Sequence, residues 1–406
     1  MRKLPVLLLT ALLVLGLAIE ASAATLTIWE SSDTQIEFLK KMGQEYKKAT
    51  GVDLRVYKVA HNDQINKLTL DGPAGKGPDI AVWVHDGIGE AVTKGLIWPL
   101  PLAEKDLSGF TDSAVEAMKY KGKIYGLPYG VETVALIYNK DLMPDPPDTM
   151  DELLKTAKKL TKDTNGDGKA EQYGFLYDTT NFYFGFGFFS GYGGYVFKQT
   201  REGLDPADIG LANEGAVKAA KFIKSLHTSG LIPIGTTYDV MDGLFSGKKL
   251  AAEINGPWAF GAYKDAGLNY GIAPLPKLEN GQYPRTFIGV KTYFISNFSK
   301  QKEEALKFLR WLTNKENSYL QYKETAIIPT RADVISMPEF QKDKDLRAFA
   351  IQASRGVPMP SIPEMPRVWT PMENGLKMIM QNQAAPEDVL RQAVEQIKSD
   401  IKDMKK

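Results

Sequence analysis

The chain has 406 residues, with 50 basic and 49 acidic side chains, three histidines and no cysteine. This near-neutral charge predicts no nucleic-acid partner, and the lack of cysteine excludes disulfides, thiolate metal sites and cysteine nucleophiles. A chain of this length is too long for one hydrophobic core, so we expect two domains or lobes.

The first 23 residues predict a secretory signal peptide. A basic start at Arg2 and Lys3 precedes a leucine-rich run over residues 4–19 that is too short to span a bilayer comfortably, and residues 21–23 form a small-residue cleavage site. Cleavage there leaves 48 basic and 48 acidic side chains. We expect a periplasmic protein that is free in solution, because lipid attachment needs an N-terminal cysteine.

Strand and helix patterns alternate along the N-terminal part of the chain. In order, they predict a strand over 25–30, a helix over 36–50, a strand over 52–57, a helix over 64–70, a strand over 79–84 and a helix over 88–94. This alternation predicts βαβ units, with a parallel sheet covered by helices.

The rest of the chain mixes strands with longer helices. A capping box of Thr149 and Glu152 opens one predicted helix, and Asn213 caps another. The predicted elements are a hairpin over 120–124, strands over 134–139, 250–255, 269–274 and 286–295, and helices over 151–160, 214–227, 302–312, 345–354, 371–381 and 386–401.

The strand over 79–84 carries Trp83 near its carboxyl end and is followed by Asp86. Ligands of open α/β sheets bind beyond the carboxyl ends of strands. A flat apolar ring beside a carboxylate suits a sugar, which has apolar C–H faces and a rim of hydroxyl donors. The alternative is that Trp83 is a core residue and Asp86 a helix cap.

Three further segments place a large ring beside a polar residue or a turn. Because such clusters recur, rings that line a cleft explain them better than core packing alone. The segments are Asn181-Phe182-Tyr183-Phe184, Asn255-Gly256-Pro257-Trp258 and Val368-Trp369-Thr370-Pro371.

Signatures of nucleotide binding and of serine hydrolases are missing, and the three histidines are too far apart to predict a transition-metal site. Asp163, Asn165 and Asp167 match the first half of a calcium loop, but Gly174 stands where a bidentate glutamate belongs. A polar turn is the preferred interpretation, and we expect no metal. Glu132 and Asp86 are also compatible with the acid and base of a glycosidase, which remains an alternative.

Five groups of residues, in order along the whole mature chain, resemble maltose/maltodextrin-binding proteins. They are Gly77-Pro78-Asp79-Ile80 with Trp83 and His85-Asp86; Val131-Glu132 with Leu136-Ile137-Tyr138-Asn139-Lys140-Asp141-Leu142 and Pro144; Ile254-Asn255-Gly256-Pro257-Trp258-Ala259; Asn269-Tyr270-Gly271; and Met359-Pro360 with Ile362-Pro363 and Trp369.

This resemblance implies an α/β, two-lobed periplasmic binding protein fold, with a sheet flanked by helices in each lobe, a hinge, and the ligand in the cleft. It places lobe I at 24–133 and 288–341, and lobe II at 134–287 and 342–406. It implies a monomeric, non-enzymatic protein without a cofactor that binds maltose and maltooligosaccharides and delivers them to the permease of an ABC transporter.

The resemblance also implies roles for individual residues. Stacking platforms are Trp83, Tyr183, Trp258 and Trp369; hydroxyl-binding acids are Asp33, Asp86 and Glu132; further cleft residues are Tyr238, Met359 and Asn181, the last in place of a usual glutamate. Thr34 replaces a usual lysine, and Gly87 and Glu373 replace usual arginines, so we expect fewer cationic donors. Other glucosides such as trehalose or sucrose, sugar hydrolysis, and a sensor role remain alternatives.

Overall fold

The computed structural model describes residues 24–167, 169–201 and 203–404. The predicted signal peptide therefore lies outside the described residues. Within these ranges, no helix combines the length and the apolar character that crossing a membrane requires.

The strands are β1 Thr25–Glu30, β2 Asp53–Lys58, β3 Ile80–Val84, β4 Lys119–Tyr120, β5 Lys123–Ile124, β6 Gly126–Glu132, β7 Ala135–Asn139, β8 Phe197–Thr200, β9 Gly203–Ile209, β10 Ala252–Asn255, β11 Tyr270–Ala273, β12 Phe287–Ile295 and β13 Val357–Pro358.

The α-helices are α1 Asp33–Thr50, α2 Gln64–Asp71, α3 Ile88–Thr93, α4 Asp112–Ala117, α5 Met150–Leu160, α6 Phe182–Gly191, α7 Glu214–Thr228, α8 Tyr238–Ser246, α9 Phe260–Asp265, α10 Lys302–Leu312, α11 Lys315–Thr325, α12 Ala332–Ile335, α13 Pro338–Lys342, α14 Lys344–Arg355, α15 Pro366–Met380 and α16 Pro386–Met404.

Local signals placed most predicted elements within a few residues of their observed bounds. The capping box is present, since Thr149 Oγ1 accepts from the backbone N–H of Glu152 at 3.3 Å and Thr149 N–H donates to Glu152 Oε2 at 3.1 Å. One start was wrong: α15 begins at Pro366 and continues through Pro371. The prediction took Pro371 as the first helical residue, where proline is favoured, although an earlier proline holds that place.

Lobe I is the part of the molecule built on a six-stranded sheet. The strand order is β13-β12-β3-β1-β2, with β6 paired to the same β12. The strands β1, β2 and β3 are parallel, as the βαβ pattern predicted, but β12 runs antiparallel to β3 and β6. The predicted parallel pairing is therefore confirmed for the N-terminal strands, and β12, which follows β11 of the other sheet, adds an antiparallel neighbour to them.

Lobe II is the part built on the antiparallel sheet β10-β7-β11. Helices such as α6, α7, α15 and α16 contribute buried side chains to its core, which is separate from the core beside β1, β3 and β12. The chain passes from lobe I to lobe II after β6 and returns at β12. The predicted lobe boundaries stay a prediction, and Tyr322 and Ile328, from the segment predicted for lobe I, pack in the lobe II core.

Candidate functional site

Three strands of lobe I bring polar side chains to one place between the lobes. Asp86 follows β3, Glu132 ends β6, and Lys291 lies within β12. In the sheet, Lys291 is opposite Val84 of β3 and Gly130 of β6, and the ladder to β6 shifts register just after it. Such a bulge re-aims side chains, which is common beside binding sites.

Glu132 and Lys291 form a salt bridge at the floor of this region. Lys291 Nζ lies 2.9 Å from Glu132 Oε1, and the two side chains are only 12% and 13% exposed, respectively. Burial opposes the charged form of Lys291, but the charges of Glu132 and Glu30 outweigh it and raise the lysine pKa. The site thus has a cation that was not predicted, although a single lysine within the apolar strand Phe287–Ile295 is a signal visible in the sequence.

His61 joins this pair from the turn before α2. Burial and the charge of Lys291 lower its pKa to about 4, while Glu132 acts in the opposite direction. The imidazole is therefore neutral at neutral pH, when it can both donate and accept a hydrogen bond. This proximity is not visible in the sequence, because His61 is far from Glu132 and Lys291 along the chain.

Asp86 is a partly buried carboxyl group at the start of the turn that leads into α3. Burial raises its pKa to about 7; hydrogen bonds from its own backbone and that of Gly87 oppose the shift, and the charge of Glu90 adds to it. Near pH 7 the group therefore exists in both its acidic and its ionised form, and it can donate or accept at the cleft.

Tyr183 approaches these carboxylates from lobe II. Burial is the main reason that its pKa is raised well above the ordinary value, and the charges of Glu132 and Asp86 contribute. Asn181 caps α6 by accepting from the backbone N–H of Tyr183 at 3.0 Å. The structure gives Asn181 the role of fixing the first turn of α6, and so of orienting Tyr183 towards lobe I.

Trp258 is the most exposed tryptophan of the chain, at 39%. Its ring centroid is 6.2 Å from those of Tyr183 and Phe184. The ring lies over the backbone of Gly256, where a Cβ atom would come within 2.1 Å of it. The Asn-Gly-Pro-Trp sequence therefore seats an open indole face that any side chain at position 256 would displace.

A buried polar network lies beneath Trp258. Asn255 Nδ2 donates to Tyr263 Oη at 2.8 Å and to Glu253 Oε1 at 3.1 Å, and its Oδ1 accepts from Gly256 N–H at 2.8 Å. The Tyr263 hydroxyl also lies within hydrogen-bond distance of the carboxyl groups of Glu253 and of Asp242 in α8. Burial raises the pKa of Glu253 to about 8. These bonds join β10, α8 and α9, and they fix the turn that carries Trp258.

Two other predicted aromatic residues line the same side. Trp369 in α15 packs edge-on against Phe182 and Phe287, with centroids 6.1 and 5.6 Å away. Tyr238 begins α8 and lies 6.1 Å from Phe184, and burial raises its pKa to about 12. Both remain partly exposed. The aromatic wall, meaning Tyr183, Tyr238, Trp258 and Trp369, therefore belongs to lobe II.

Three predicted site residues have other surroundings. Trp83 is only 2% exposed and stacks on Phe294 in the lobe I core at 4.3 Å, so the structure does not support a stacking role for its ring. Met359 is also buried, and its carbonyl oxygen bonds His85 Nε2 at 3.0 Å. Asp33 is exposed and pairs with Lys58 at 2.7 Å.

The calcium-like turn carries an exposed group of acids. Oxygen atoms of Asp163, Asp167 and Glu171 lie within 4.8 Å of one another. Glu171 accepts from the backbone and side chain of Thr164, and these hydrogen bonds lower its pKa. Glu171, the third acid, therefore stands at position 9 of the loop that starts at Asp163. The turn is hydrogen-bonded within itself, as a polar turn is expected to be.

A cavity of about 670 Å³ opens between Ser113–Lys119 of lobe I and residues 193–199 of lobe II. Its walls include His85, Phe287 and Met359, but none of the aromatic wall. This cavity is therefore a different space from the candidate site. The ring of Phe287 borders both, because it lines the cavity and also stacks near Tyr183.

Residues 41–348 match the family described as bacterial extracellular solute-binding proteins. The chain belongs to this family. It is 38% identical over 389 residues to the galactooligosaccharide-binding protein of Bacillus subtilis, in an alignment that covers 94% of this chain and 90% of the relative.

Solved structures of similar proteins agree with this family membership. A cyclo/maltodextrin-binding protein complexed with maltotetraose is 42% identical, with a TM-score of 0.81 over 94% of this chain and 98% of that one. The maltotriose-binding protein of Thermus thermophilus, bound with maltotriose, is 33% identical, with a TM-score of 0.86 over 93% and 100%. The predicted resemblance and the two-lobed α/β fold class of this solute-binding protein are thus confirmed.

Proposed function

We propose that this solute-binding protein binds maltose and longer maltooligosaccharides between its lobes and delivers them to an ABC transporter permease. The observation that carries the proposal is the placement of an aromatic wall on lobe II opposite the carboxyl groups of Asp86 and Glu132 on lobe I. The similarity to proteins with maltotetraose and maltotriose bound supports the choice of sugar.

The two sides suit the two kinds of sugar surface. Rings of Tyr183, Trp258 and Trp369 offer apolar faces for the C–H faces of glucose units. Carboxylates at the floor accept hydroxyl hydrogen bonds, and a competitor without those hydroxyls would leave buried acceptors unpaired. Trp83, Met359 and Asp33 stay predictions as ligand residues, because the first two are buried and Asp33 is paired with Lys58.

The strand connections supply a hinge for this function. The chain crosses between the two sheets after β6 and again before β12, so a small change at these crossings rotates one lobe against the other. Closure would bring the aromatic wall onto a sugar held at the floor. We propose that the exported, monomeric chain begins after residue 23 and presents the closed form to the permease without chemical change of the sugar.

A galactooligosaccharide is the second candidate ligand, because a relative that is 38% identical has that name. Galactose and glucose differ in the orientation of one ring hydroxyl. The same stacking faces and acceptors serve either sugar, so the choice depends on where individual donors and acceptors stand.

A ligand panel tests the proposal. The melting temperature and calorimetric affinity of the chain are measured with maltose, maltotriose, maltotetraose, galactobiose, trehalose and sucrose, since a ligand of the native state stabilises it by RT ln(1 + [L]/Kd). We expect the largest stabilisation with maltotriose or maltotetraose. A response confined to galactobiose would favour the second candidate, and no response to any sugar would exclude both.

The same samples address catalysis. Maltotetraose is incubated with the protein, and reducing ends are measured over time. We expect intact recovery of the sugar, whereas protein-dependent release of reducing ends would support the hydrolase alternative.

A further inference from the structure

The salt bridge between Glu132 and Lys291 places a donor and an acceptor side by side at the cleft floor. Their atoms are 2.9 Å apart, and each side chain retains a small exposed fraction. Tyr183 of lobe II is close enough for the charge of Glu132 to raise its pKa, so the pair lies beside the other lobe. The pair is therefore accessible from the space where the proposed ligand binds.

Packing alone does not explain a lysine at this position. Its strand neighbours Val290, Thr292 and Tyr293 are all buried. Removing an ammonium group from water is unfavourable, and a partly buried ion pair recovers this only in part, so an apolar residue would serve the sheet as well. A charge at position 291 fits better with a polar partner arriving from the cleft.

The surrounding charges define what that partner can be. Glu30 is buried and accepts from the backbone N–H groups of Ser31 and Ser32 at 2.7 and 3.0 Å, so its charge is satisfied within the protein. Together Glu30, Glu132 and Lys291 carry one net negative charge, and His61 adds none at neutral pH. This environment repels an anionic ligand and suits a neutral molecule with hydroxyl groups.

We propose that Lys291 is a ligand-binding residue, and that with Glu132 it recognises two adjacent hydroxyls of one pyranose ring. The ammonium donates to one hydroxyl oxygen, while the free oxygen of Glu132 accepts from its neighbour. Because Nζ and Oε1 are 2.9 Å apart, the two side chains lie side by side, as the partners of neighbouring hydroxyls must. This inference rests on the proposed function. Lys291 gives the cleft floor a cationic donor, which Thr34, Gly87 and Glu373 do not.

Calorimetry with maltotriose tests the role of the ammonium. Lys291→Met keeps the aliphatic stem, and we expect an affinity loss of about tenfold or more, as for a lost charged hydrogen bond. Lys307→Met, which removes a lysine from an exposed ion pair on α10, is the matched control and should bind as the wild type does. An affinity for Lys291→Met within about threefold of the wild type overturns the proposal.

Monodeoxy derivatives of maltose separate direct contact from a structural effect. Deleting the hydroxyl that Lys291 binds should weaken wild-type binding but leave binding to Lys291→Met almost unchanged, whereas deleting other hydroxyls should weaken both equally. If every derivative weakens both proteins equally, Lys291 does not touch the sugar and the proposal is wrong. Should Lys291→Met not fold, Lys291→Gln is used, and the same pattern is required of it.

Failure of the inference is distinct from failure of the proposed function. If wild-type protein does not bind maltotriose or maltose, the proposed function fails. If it binds, and Trp258→Ala weakens binding while Lys291→Met does not, only the role of Lys291 is rejected.

Discussion

The two sides of the cleft differ in what holds their side chains in place. On lobe I, charged groups come from strands β6 and β12 and are fixed by an ion pair. On lobe II, rings come from the starts of α6 and α8 and from the turn after β10, and helix caps and hydrogen bonds beneath Trp258 fix them. Sequence motifs predicted the rings of the second side and the acids Asp86 and Glu132 of the first, whereas only the assembled sheet revealed the pairing of Glu132 with Lys291.

This difference has an energetic consequence. Groups of the floor depend on each other, because removing one charge leaves the other poorly solvated. Trp258 is 39% exposed, so truncating its ring removes less buried surface than truncating a core residue would. Changes on the floor should therefore affect folding and binding together, and changes on the wall should affect binding alone.

The largest expected effect is that of breaking the ion pair. Glu132→Ala leaves the ammonium of Lys291 without this partner, and we expect the free energy of unfolding to fall by about 3 kcal/mol, the lower end for a buried pair. Urea unfolding measures the change. Adding Lys291→Met to Glu132→Ala should restore part of it.

Glu37→Ala is the control for this change, since Glu37 belongs to an exposed pair with Lys40, and its loss should be less than about 0.5 kcal/mol. If Glu132→Ala and Glu37→Ala lower the free energy of unfolding by the same small amount, the stabilising coupling of Glu132 with Lys291 is contradicted.

A smaller effect, confined to binding, is expected on the aromatic wall. Trp258→Ala removes an open stacking face, and we expect maltotriose affinity to fall by about 2 kcal/mol, as for other central aromatic residues, with little change in melting temperature. Calorimetry and thermal unfolding give the two quantities.

Tyr57→Ala provides the comparison, because Tyr57 is 48% exposed on the edge strand β2. We expect wild-type affinity for this variant. Undiminished binding by Trp258→Ala would remove the wall from the proposed site.

Taken per pH unit, the smallest effect concerns the pH dependence of the floor. The pKa of Asp86 is raised from 3.8 to about 7, so the folded protein holds this proton more tightly than the unfolded chain. The stabilisation that the Asp86 proton provides is complete below pH 3.8 and is lost as pH rises through about 7. Between pH 4 and 7 the free energy of unfolding of the wild type should fall by at most on the order of 1 kcal/mol per pH unit because of this group. Asp86→Asn should not show this fall.

Two histidines act in the opposite direction over part of this range. The pKa values of His61 and His85 are lowered to about 4 by burial, so their contribution is present above their ordinary pKa and is lost as pH falls. The informative quantity is therefore the difference between wild type and Asp86→Asn, measured by urea unfolding across pH. Asp33→Asn, which removes an exposed acid, is the control, and parallel curves for wild type and Asp86→Asn would contradict the prediction.

Local sequence signals were sufficient for most helices and strands. The bounds of β1 and α10 agree with prediction, because strand alternation and helical periodicity are properties of neighbouring residues. The helix α6 was missed for the same reason: Phe182–Gly191 is almost wholly buried, so it shows no alternation of apolar and polar faces.

The sequence by itself determined the fold class and the aromatic motifs on lobe II, since ring, cap and turn residues stand next to each other in the chain. Only the tertiary structure decided that Trp83 packs on Phe294, because a buried strand gives no sign of which sheet face meets a ligand. It alone also brought His61, Glu132 and Lys291 together, through the antiparallel pairing of β12. Charges far apart in sequence interact only after strands from different parts of the chain have formed one sheet.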